Sequence, residues 1–446
     1  MATPFQRHYL FKLFYDLMIS SYVFLVFISD GITHYFEIKY LNDISNAVKC
    51  MSQETRNIAL LFISRSLRSL TAGFVAIAIS LYFYDVLKLS LILVGVLFTI
   101  GSFATPLISL LVGVLGDRYG RKIVLLIDLL TLPAALLIVL FTKNFCVLAF
   151  ASAIGGFGVA GGLVGGGVGA SVGPVVTTML AENTNDQNRT FIYSLNSVLS
   201  TFAGAAGALL VSFISFISLF WIGVFLSLLS AVVIIPVREK YKSSRKQAKN
   251  VDRKVSEKDR KIIKAFAITG LLNGLSMGLV TPYYPIIFHA FFHMSTAQVG
   301  YLMSAGGLLS GVADMFTPSL TSKMGFLRLI TSTRVISATM MLLIPFSPAA
   351  YIAGLLYLIM TPLRAISLPA QTALQMTLIS ESRRATSSGL NQAARLLASA
   401  IATYSGGTLM ALGPLAFPFA LAAGFTYFNT GVYYYYFASI PEANKA

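Results

Sequence analysis

Charged residues and cysteines are scarce in this sequence of 446 residues. Only 11% of the residues are charged, whereas a soluble domain has about 25%. The two cysteines, Cys50 and Cys146, have neither the spacing of a metal site nor that of a redox pair. The Walker A pattern, G-x-x-x-x-G-K followed by Ser or Thr, is also missing. These absences argue against a soluble enzyme and an ATP-driven pump, and we expect no cofactor and no metal.

Apolar residues, by contrast, are abundant and lie in long runs. They make up 56% of the chain, and the mean hydropathy is +0.76. A helix needs about 20 apolar residues to cross a bilayer, where only helices and closed barrels satisfy their backbone groups. Continuous runs without strict alternation favour helices. Twelve runs follow residue 55, and they are 57–84, 89–115, 122–142, 145–181, 190–215, 218–236, 264–288, 298–321, 327–346, 349–372, 385–410 and 414–437.

Basic residues are concentrated in alternate loops, which predicts the orientation of these spans. The formal net charge is +16, and twelve of the 33 Lys and Arg residues lie within Arg238–Lys264. The intervening loops hold only Lys88 and Lys143. Because Lys and Arg accumulate in cytoplasmic loops, we expect a multi-pass plasma-membrane protein whose central loop and C-terminus are cytoplasmic. A solvated linker explains the basic segment better than nucleic-acid binding does, and contact with anionic lipid is the lesser alternative.

The basic segment divides the predicted spans into two sets of six. The predicted regions are an N-terminal bundle over 56–237, a basic linker over 238–263, a C-terminal bundle over 264–438 and a cytoplasmic tail over 439–446. Residues 1–55 precede this pattern. Within them, Leu13–Ser29 is apolar enough for an extra helix but contains Asp16. This extension is either a membrane-associated segment or dispensable.

The two sets of spans share an internal repeat. At an offset of 205, matched positions include Gly73 with Gly278, Ser90 with Ser295, and Gly120 with Gly325. At an offset of 195, they include Pro174 with Pro369 and Asn196 with Asn391. Two related six-helix halves are the arrangement expected of secondary transporters that bind their substrate between the halves.

The segment Gly155–Gly173 is rich in glycine and contains a G-x-G-x-x-G pattern at Gly156, Gly158 and Gly161. That pattern binds dinucleotides only within a strand–loop–helix unit, and no alternating α/β pattern surrounds it here. Glycines spaced four apart instead form a ridge of small residues that lets helices pack closely in lipid. The predicted ridge consists of Gly161, Gly165, Gly169 and Gly173.

A recognisable signature lies between predicted helices 2 and 3. It consists of Gly113, Asp117, Arg118, Gly120, Arg121 and Lys122. This signature resembles the loop motif of the major facilitator superfamily, and with the repeat the resemblance spans about residues 55–440. It implies a monomeric, all-α integral membrane protein with twelve transmembrane helices in two pseudo-symmetric six-helix bundles. It also implies a cytoplasmic contact between the halves, in which Gly113 lets helices 2 and 11 approach closely and Asp117 faces a helix N-terminus.

Ionisable residues within the spans are candidates for function, because inserting each one costs about 2.5–3.5 kcal/mol. The predicted substrate cavity is lined by Arg65, Arg68, Asn273, Tyr283, Arg364, Asn391 and Arg395. The candidates for proton coupling are Asp128 and Asp314. Structural alternatives remain open, since Arg65, Arg334 and Asp128 lie near enough to a span end to snorkel. Either acid, moreover, can serve to neutralise an arginine.

The excess of arginine over acid within the spans favours an anionic substrate, because the guanidinium fork suits carboxylate and phosphate. We therefore expect a secondary transporter for a small organic solute, preferably an anionic metabolite, that works by alternating access with proton coupling. A multidrug efflux antiporter is the main alternative. Against it, residues 145–181 lack the arginine, and Gly204–Gly207 lacks the proline, of that subclass. A transporter-like sensor that no longer transports is a further alternative from a different class.

Overall fold

A computed structural model describes residues 53–159, 173–184, 186–238, 257–379 and 384–440. Four sequence-based predictions fall wholly or mostly outside these ranges. They are the N-terminal extension up to residue 52, most of the basic linker (239–256), the ridge glycines Gly161, Gly165 and Gly169, and the tail from 441 onward.

The described residues form helices that follow the predicted spans, and we number them α1 to α12 accordingly. The helices are α1 Gln53–Leu81, α2 Leu91–Tyr119, α3 Arg121–Leu129 with Thr131–Phe141, α4 Phe145–Gly155 with Gly173–Glu182, α5 Asp186–Leu210, α6 Phe216–Ile234, α7 Glu257–Val280, α8 Thr296–Met324, α9 Phe326–Leu343, α10 Ala350–Leu378, α11 Arg384–Leu412 and α12 Ala416–Phe437. Within the described ranges, eight helices are long and apolar enough to cross a membrane. We call α1–α6 the N-terminal half and α7–α12 the C-terminal half.

The repeat found in the sequence recurs in the geometry of α2 and α8. Each helix has 29 residues, and the two begin and end at positions exactly 205 apart. The serine before each helix, Ser90 or Ser295, caps it by accepting a hydrogen bond from a backbone N–H of the first turn. The glycine after each helix, Gly120 or Gly325, has a positive φ, of 104° and 78° respectively. Glycine is favoured there because a Cβ would strain that backbone.

The ends of α1 and α7 correspond in the same way. α1 continues into a π-helical turn at Tyr82–Val86, and α7 continues through Thr281–Tyr283 and Tyr284–Ile286 into one at Ile287–Phe291. Two residues further on, Lys88 and His293 both have φ of 54°. A left-handed conformation is uncommon outside glycine, so its recurrence at the offset of 205 shows that the two connections have the same geometry.

Small residues bring the helices of each half together. A Cβ at Gly73 of α1 would overlap the carbonyl oxygen of Gly204 in α5, and one at Gly278 of α7 would overlap that of Ser399 in α11. These contacts correspond through the two repeat offsets. Within lipid the hydrophobic effect does not drive helices together, so close packing of backbones at small residues drives their association instead.

The two halves also contact each other at the end of the molecule away from the basic loops, which we call the closed end. There His289 Nε2 lies 3.1 Å from Asp85 Oδ2, joining α7 to α1. The Ser212 hydroxyl donates to the carbonyl of Ala297 at 2.9 Å, joining the end of α5 to the start of α8. The closed end also contains the crossing of α2 and α11, where a Cβ on Gly95 would lie 3.4 Å from the Cα of Gly407.

Near the end that carries the basic loops, two glycines of the same two helices have no such close neighbours among the described residues. A Cβ at Gly113 of α2 would meet no described atom within 4 Å, and the same holds for Gly389 of α11. The close approach that the structure describes lies at Gly95 and Gly407. The predicted close approach of helices 2 and 11 at Gly113 stays a prediction.

Candidate binding cavity

A cavity of about 1040 Å³, measured with its open mouth, lies between the two halves. The N-terminal half contributes mainly apolar walls, such as Val75, Ile79 and Phe98. The C-terminal half contributes most of the polar groups, among them Tyr284, Tyr357 and Arg364. The cavity is thus asymmetric, with an apolar side from one repeat and hydrogen-bond donors from the other.

Arg364 supplies the charge of this cavity, and no Asp or Glu is among the lining residues that the structure describes. Its guanidinium lies close enough to the hydroxyl of Tyr284 to interact with it electrostatically, and its Nη1 atom lies 3.6 Å from the sulfur of Met341. Arg334 lies close enough to repel Arg364 electrostatically, which adds to the positive potential. A half-buried guanidinium without a carboxylate partner in the described chain is suited to bind an anion.

Among the described residues, two tyrosine hydroxyls of the cavity lining have a methionine sulfur as their hydrogen-bond acceptor. Tyr284 donates to the sulfur of Met360 at 3.5 Å, and Tyr357 donates to the sulfur of Met303 at 3.1 Å. The two rings contact edge to face, with centroids 5.1 Å apart. Because a thioether is a weak acceptor, both hydroxyls would gain from an oxygen acceptor brought by a ligand.

Tyr283, which the sequence placed in the cavity, belongs to the closed end instead. Its side chain is fully buried, and its hydroxyl donates to the carbonyl of Thr403 at 2.5 Å. The same hydroxyl lies at the crossing of Gly95 and Gly407. Adjacent residues on a helix point about 100° apart, which explains why Tyr284 lines the cavity while Tyr283 packs between helices.

Arg65, Arg68 and Asp128 lie within the N-terminal half and outside the cavity lining. Arg68 and Asp128 are 3% and 1% exposed, and their opposite charges attract each other. Arg68 also donates to the carbonyl of Leu129 at 3.4 Å. Arg65 donates through Nε to the hydroxyl of Ser200 at 3.3 Å, joining α1 to α5. This arrangement favours the structural alternative for Asp128, the neutralisation of an arginine between α1 and α3.

Asn273, Asn391 and Arg395 lie in the C-terminal half, also outside the cavity lining. Asn391 is buried and donates to the carbonyl of Phe266 at 2.8 Å, which joins α11 to α7. Arg395 donates to the side chain of Gln392 at 2.7 Å, one turn away on the same helix. Asn273 is half-buried on α7. Of the seven predicted cavity residues, Arg364 alone is in the lining described above.

Arg334 of α9 is a buried arginine that an amide and an aromatic ring stabilise in part, since its Nη1 atom has no hydrogen-bond partner among the described residues. It is 3% exposed and donates to the Gln371 side chain at 2.6 Å. Its guanidinium also lies over the ring of Tyr433, 4.5 Å from the centroid. An amide oxygen and a ring face together stabilise the cation, which assigns Arg334 to packing between α9, α10 and α12.

Asp314 of α8 lies one helical turn from Ser310, which lines the cavity. Its Oδ1 atom is buried and has no hydrogen-bond partner among the described residues. Gly311, three residues earlier, packs against Thr201 of α5 in the other half. Residues three and four apart share a helix face, so Asp314 lies near both the cavity and the contact between the halves.

The loop motif joins helices of the N-terminal half. Arg121, at the start of α3, forms an ion pair with Glu182 at the end of α4. Lys122 donates to the carbonyl of Ile235, beyond the end of α6, at 2.5 Å. Gly120 permits the sharp turn between α2 and α3 with its positive φ.

Arg118 and Asp117 are two further residues of the loop motif. Arg118 is exposed, and its guanidinium lies 5.3 Å from the ring centroid of Tyr119. The side chain of Asp117 falls outside the described part of the structure. The predicted contact between the halves at this motif stays a prediction.

Sequence reasoning missed Tyr357 and the methionine sulfurs that surround the cavity. No local pattern distinguishes them from other apolar residues of α8 and α10. The described residues also contain no group of three or more His, Cys, Asp or Glu that could hold a metal ion.

The fold and the cavity define a polytopic helical membrane protein with two related halves around a central binding space. A family model described as Major Facilitator Superfamily matches residues 61–403. The chain belongs to the major facilitator superfamily of secondary transporters. This confirms the resemblance and the fold class predicted from the sequence. No curated protein matches the chain significantly.

Solved structures of transporters share the fold. The chain is similar to a mutant of the nucleoside transporter NupG, with a TM-score of 0.69 and 14% identity over 85% of this chain and 100% of that one. A D-xylose-proton symporter gives a TM-score of 0.71 and 13% identity, over 87% and 99% of the two chains. The human organic anion transporter MFSD10 (TETRAN) gives 0.62 and 14%, over 86% and 100%. At these identities the similarity establishes the fold and leaves the substrate open.

Proposed function

We propose that this transporter moves a small organic anion across the plasma membrane by alternating access. Arg364 is the observation that carries the proposal, since its guanidinium lines a cavity between the halves that contains no acid. An unpaired cation within a membrane span is costly, and a bound anion offsets that cost. One of the similar structures is an organic anion transporter by name, which is compatible with this substrate class.

Alternating access is supported by the difference between the two ends of the molecule. The halves contact each other at the closed end, through Asp85 and His289 among others. Toward the basic loops, a Cβ at Gly113 of α2 or Gly389 of α11 would meet no described atom within 4 Å. With the basic loops in the cytoplasm, this conformation would be open inward and closed outward. Transport then requires the closed end to open while the other end closes.

Proton coupling is the second part of the proposal, and Asp314 is the residue we assign to it. Its position beside the cavity and near α5 would let protonation influence both substrate binding and the contact between the halves. Asp128 is the weaker candidate, because Arg68 already balances its charge.

A multidrug efflux antiporter is the alternative that one observation favours. Met277, Met303 and Met360 all line the cavity, and methionine adapts to ligands of varied shape. A positively charged Arg364 opposes lipophilic cations, however, so the two proposals predict opposite charge selectivity.

The test is the current evoked by solutes on a solid-supported membrane carrying the purified protein. The panel comprises carboxylates, phosphates, sugars, amino acids and lipophilic cations, each applied to wild type, Arg364→Gln and Arg395→Gln. Arg395→Gln is the matched control, because the same charge is removed from a residue outside the cavity lining.

Currents evoked by anions that disappear in Arg364→Gln and persist in Arg395→Gln would support the proposal. Currents evoked only by lipophilic cations would overturn it in favour of multidrug efflux. Co-transport of one proton with one monovalent anion carries no net charge, so uptake of the labelled solute into proteoliposomes is measured as well. Binding of a solute with neither current nor uptake would favour the transporter-like sensor.

A further inference from the structure

The cavity has a more specific chemistry than a general anion site. Resting on the proposed function, we infer that it selects organic anions with one negative charge on an aromatic body. Three features carry the inference: the number of cations in the lining, the acceptors that the polar donors now have, and the separation of polar and apolar walls.

The first feature is the number of cations in the cavity lining. Arg364 is the cationic side chain of the lining, and one guanidinium can bind one carboxylate in a two-point contact. Arg334 is nearby but is 3% exposed and is not among the described lining residues; it donates through Nη2 to Gln371 and lies over the ring of Tyr433. A second anionic group on the ligand would therefore lie against apolar walls without a cation, which is strongly unfavourable.

The donors beside Arg364 lack strong acceptors. The Tyr284 and Tyr357 hydroxyls and the Arg364 Nη1 atom each lie against a methionine sulfur, at 3.5, 3.1 and 3.6 Å. The three groups belong to one described lining, in which Arg364 lies close enough to Tyr284 to interact with it electrostatically and the Tyr284 ring contacts that of Tyr357. A carboxylate has two oxygens that accept about four hydrogen bonds. It would replace weak sulfur contacts with charge-assisted hydrogen bonds.

The opposite wall fits an aromatic body. Phe98 and Phe157 of the N-terminal half line the cavity together with Val75 and Ile79, and both phenylalanines contact Phe83 behind them. Aromatic rings and methionine sulfur interact favourably with a further ring through their edges and faces. A ligand would therefore point its anionic group toward the C-terminal half and its ring toward the N-terminal half.

The test is calorimetric titration of the purified full-length protein with a series of small probes. Benzoate carries one charge on a ring, cyclohexanecarboxylate carries the same charge without aromaticity, and terephthalate adds a second carboxylate. Phosphate and benzyltrimethylammonium complete the series. The protein variants are Arg364→Gln, Arg364→Lys and Tyr357→Phe, with Arg395→Gln as the matched control and gel filtration to verify folding.

We expect benzoate to bind about 2- to 12-fold more tightly than cyclohexanecarboxylate, and terephthalate and phosphate to bind more weakly than benzoate. Arg364→Gln should weaken benzoate binding by about 10- to 100-fold, and Tyr357→Phe by about 2- to 10-fold. Arg364→Lys should bind benzoate with intermediate affinity, because it keeps the charge and loses the two-point contact. Arg395→Gln should bind benzoate like wild type.

The outcomes separate this inference from the proposed function. Terephthalate or phosphate binding at least as tightly as benzoate would overturn the single charge and leave anion transport standing. Equal affinities for benzoate and cyclohexanecarboxylate would overturn the aromatic selectivity alone. Binding of benzyltrimethylammonium without any anion would overturn both proposals. Failure of every probe to bind would overturn the inference, while the current measurements would still test transport.

Discussion

A single methyl group at the crossing of α2 and α11 should shift the transporter toward the state in which the closed end is open. A Cβ at Gly407 would lie 2.8 Å from both the carbonyl oxygen of Leu91 and the hydroxyl of Tyr283. A Cβ at Gly95 would lie 3.0 Å from that hydroxyl. Overpacking of this kind costs about 1–3 kcal/mol, which corresponds to a shift of about 5- to 150-fold in a two-state equilibrium.

Gly407→Ala should have the larger effect, because its closest neighbours include a backbone carbonyl that cannot rotate away. Gly95→Ala meets the tip of a side chain and should have the smaller one. The assay is labelling of a cysteine at Thr361, which lines the cavity, by an impermeant maleimide added at the closed end. Cys50 and Cys146 are first replaced by serine.

Two further glycines provide the controls. Gly424→Ala adds a methyl to an exposed position with no described atom within 4 Å, so labelling should not change. Gly113→Ala should reduce labelling from the closed end if α2 and α11 meet there once the basic end closes. A folded Gly407→Ala variant with wild-type labelling would refute the reasoning and make the crossing a static packing contact.

Three other experiments test the buried and interfacial charges. Asp128→Asn leaves Arg68 without its counter-charge and should cost about 3–5 kcal/mol of stability. It should therefore lower the thermal midpoint in detergent, and an unchanged midpoint would argue against the pair. A double-mutant cycle of Asp85→Asn and His289→Gln measures the coupling free energy between these two side chains, with cavity labelling from the closed end as the readout. The coupling should be about 0.2–1 kcal/mol. Additive effects of the two substitutions would contradict a direct interaction. Asp314→Asn should abolish uptake driven by a pH gradient while substrate exchange persists, and unchanged pH-driven uptake would remove Asp314 from coupling.

Much of the fold could be predicted because its signals are local. The caps at Ser90 and Ser295 and the turns at Gly120 and Gly325 depend on a few neighbouring residues, and their offset of 205 is visible in the sequence. The same caps and turns occur in both halves because each helix must satisfy its own backbone groups within lipid.

The cavity was harder to predict because partners come from distant parts of the chain. Sequence reasoning identified Arg68 and Arg364 alike as intramembrane arginines. Only the packing shows that α3 brings Asp128 to Arg68, whereas no acid of the described chain reaches Arg364. Likewise, Tyr283 and Tyr284 are adjacent in the sequence and point about 100° apart. Hydrophobic periodicity does not show which of the two faces the cavity.

Cross-linking the two halves at the closed end is the most direct test of alternating access. Asp85 and His289 contact each other across the halves at 3.1 Å, so cysteines at both positions can be joined by a short, cleavable reagent once Cys50 and Cys146 are replaced. We predict that the cross-linked protein still binds an anion from the basic end but takes up no labelled anion into proteoliposomes, and that reduction restores the uptake. Undiminished uptake by the cross-linked protein would contradict transport by opening of the closed end.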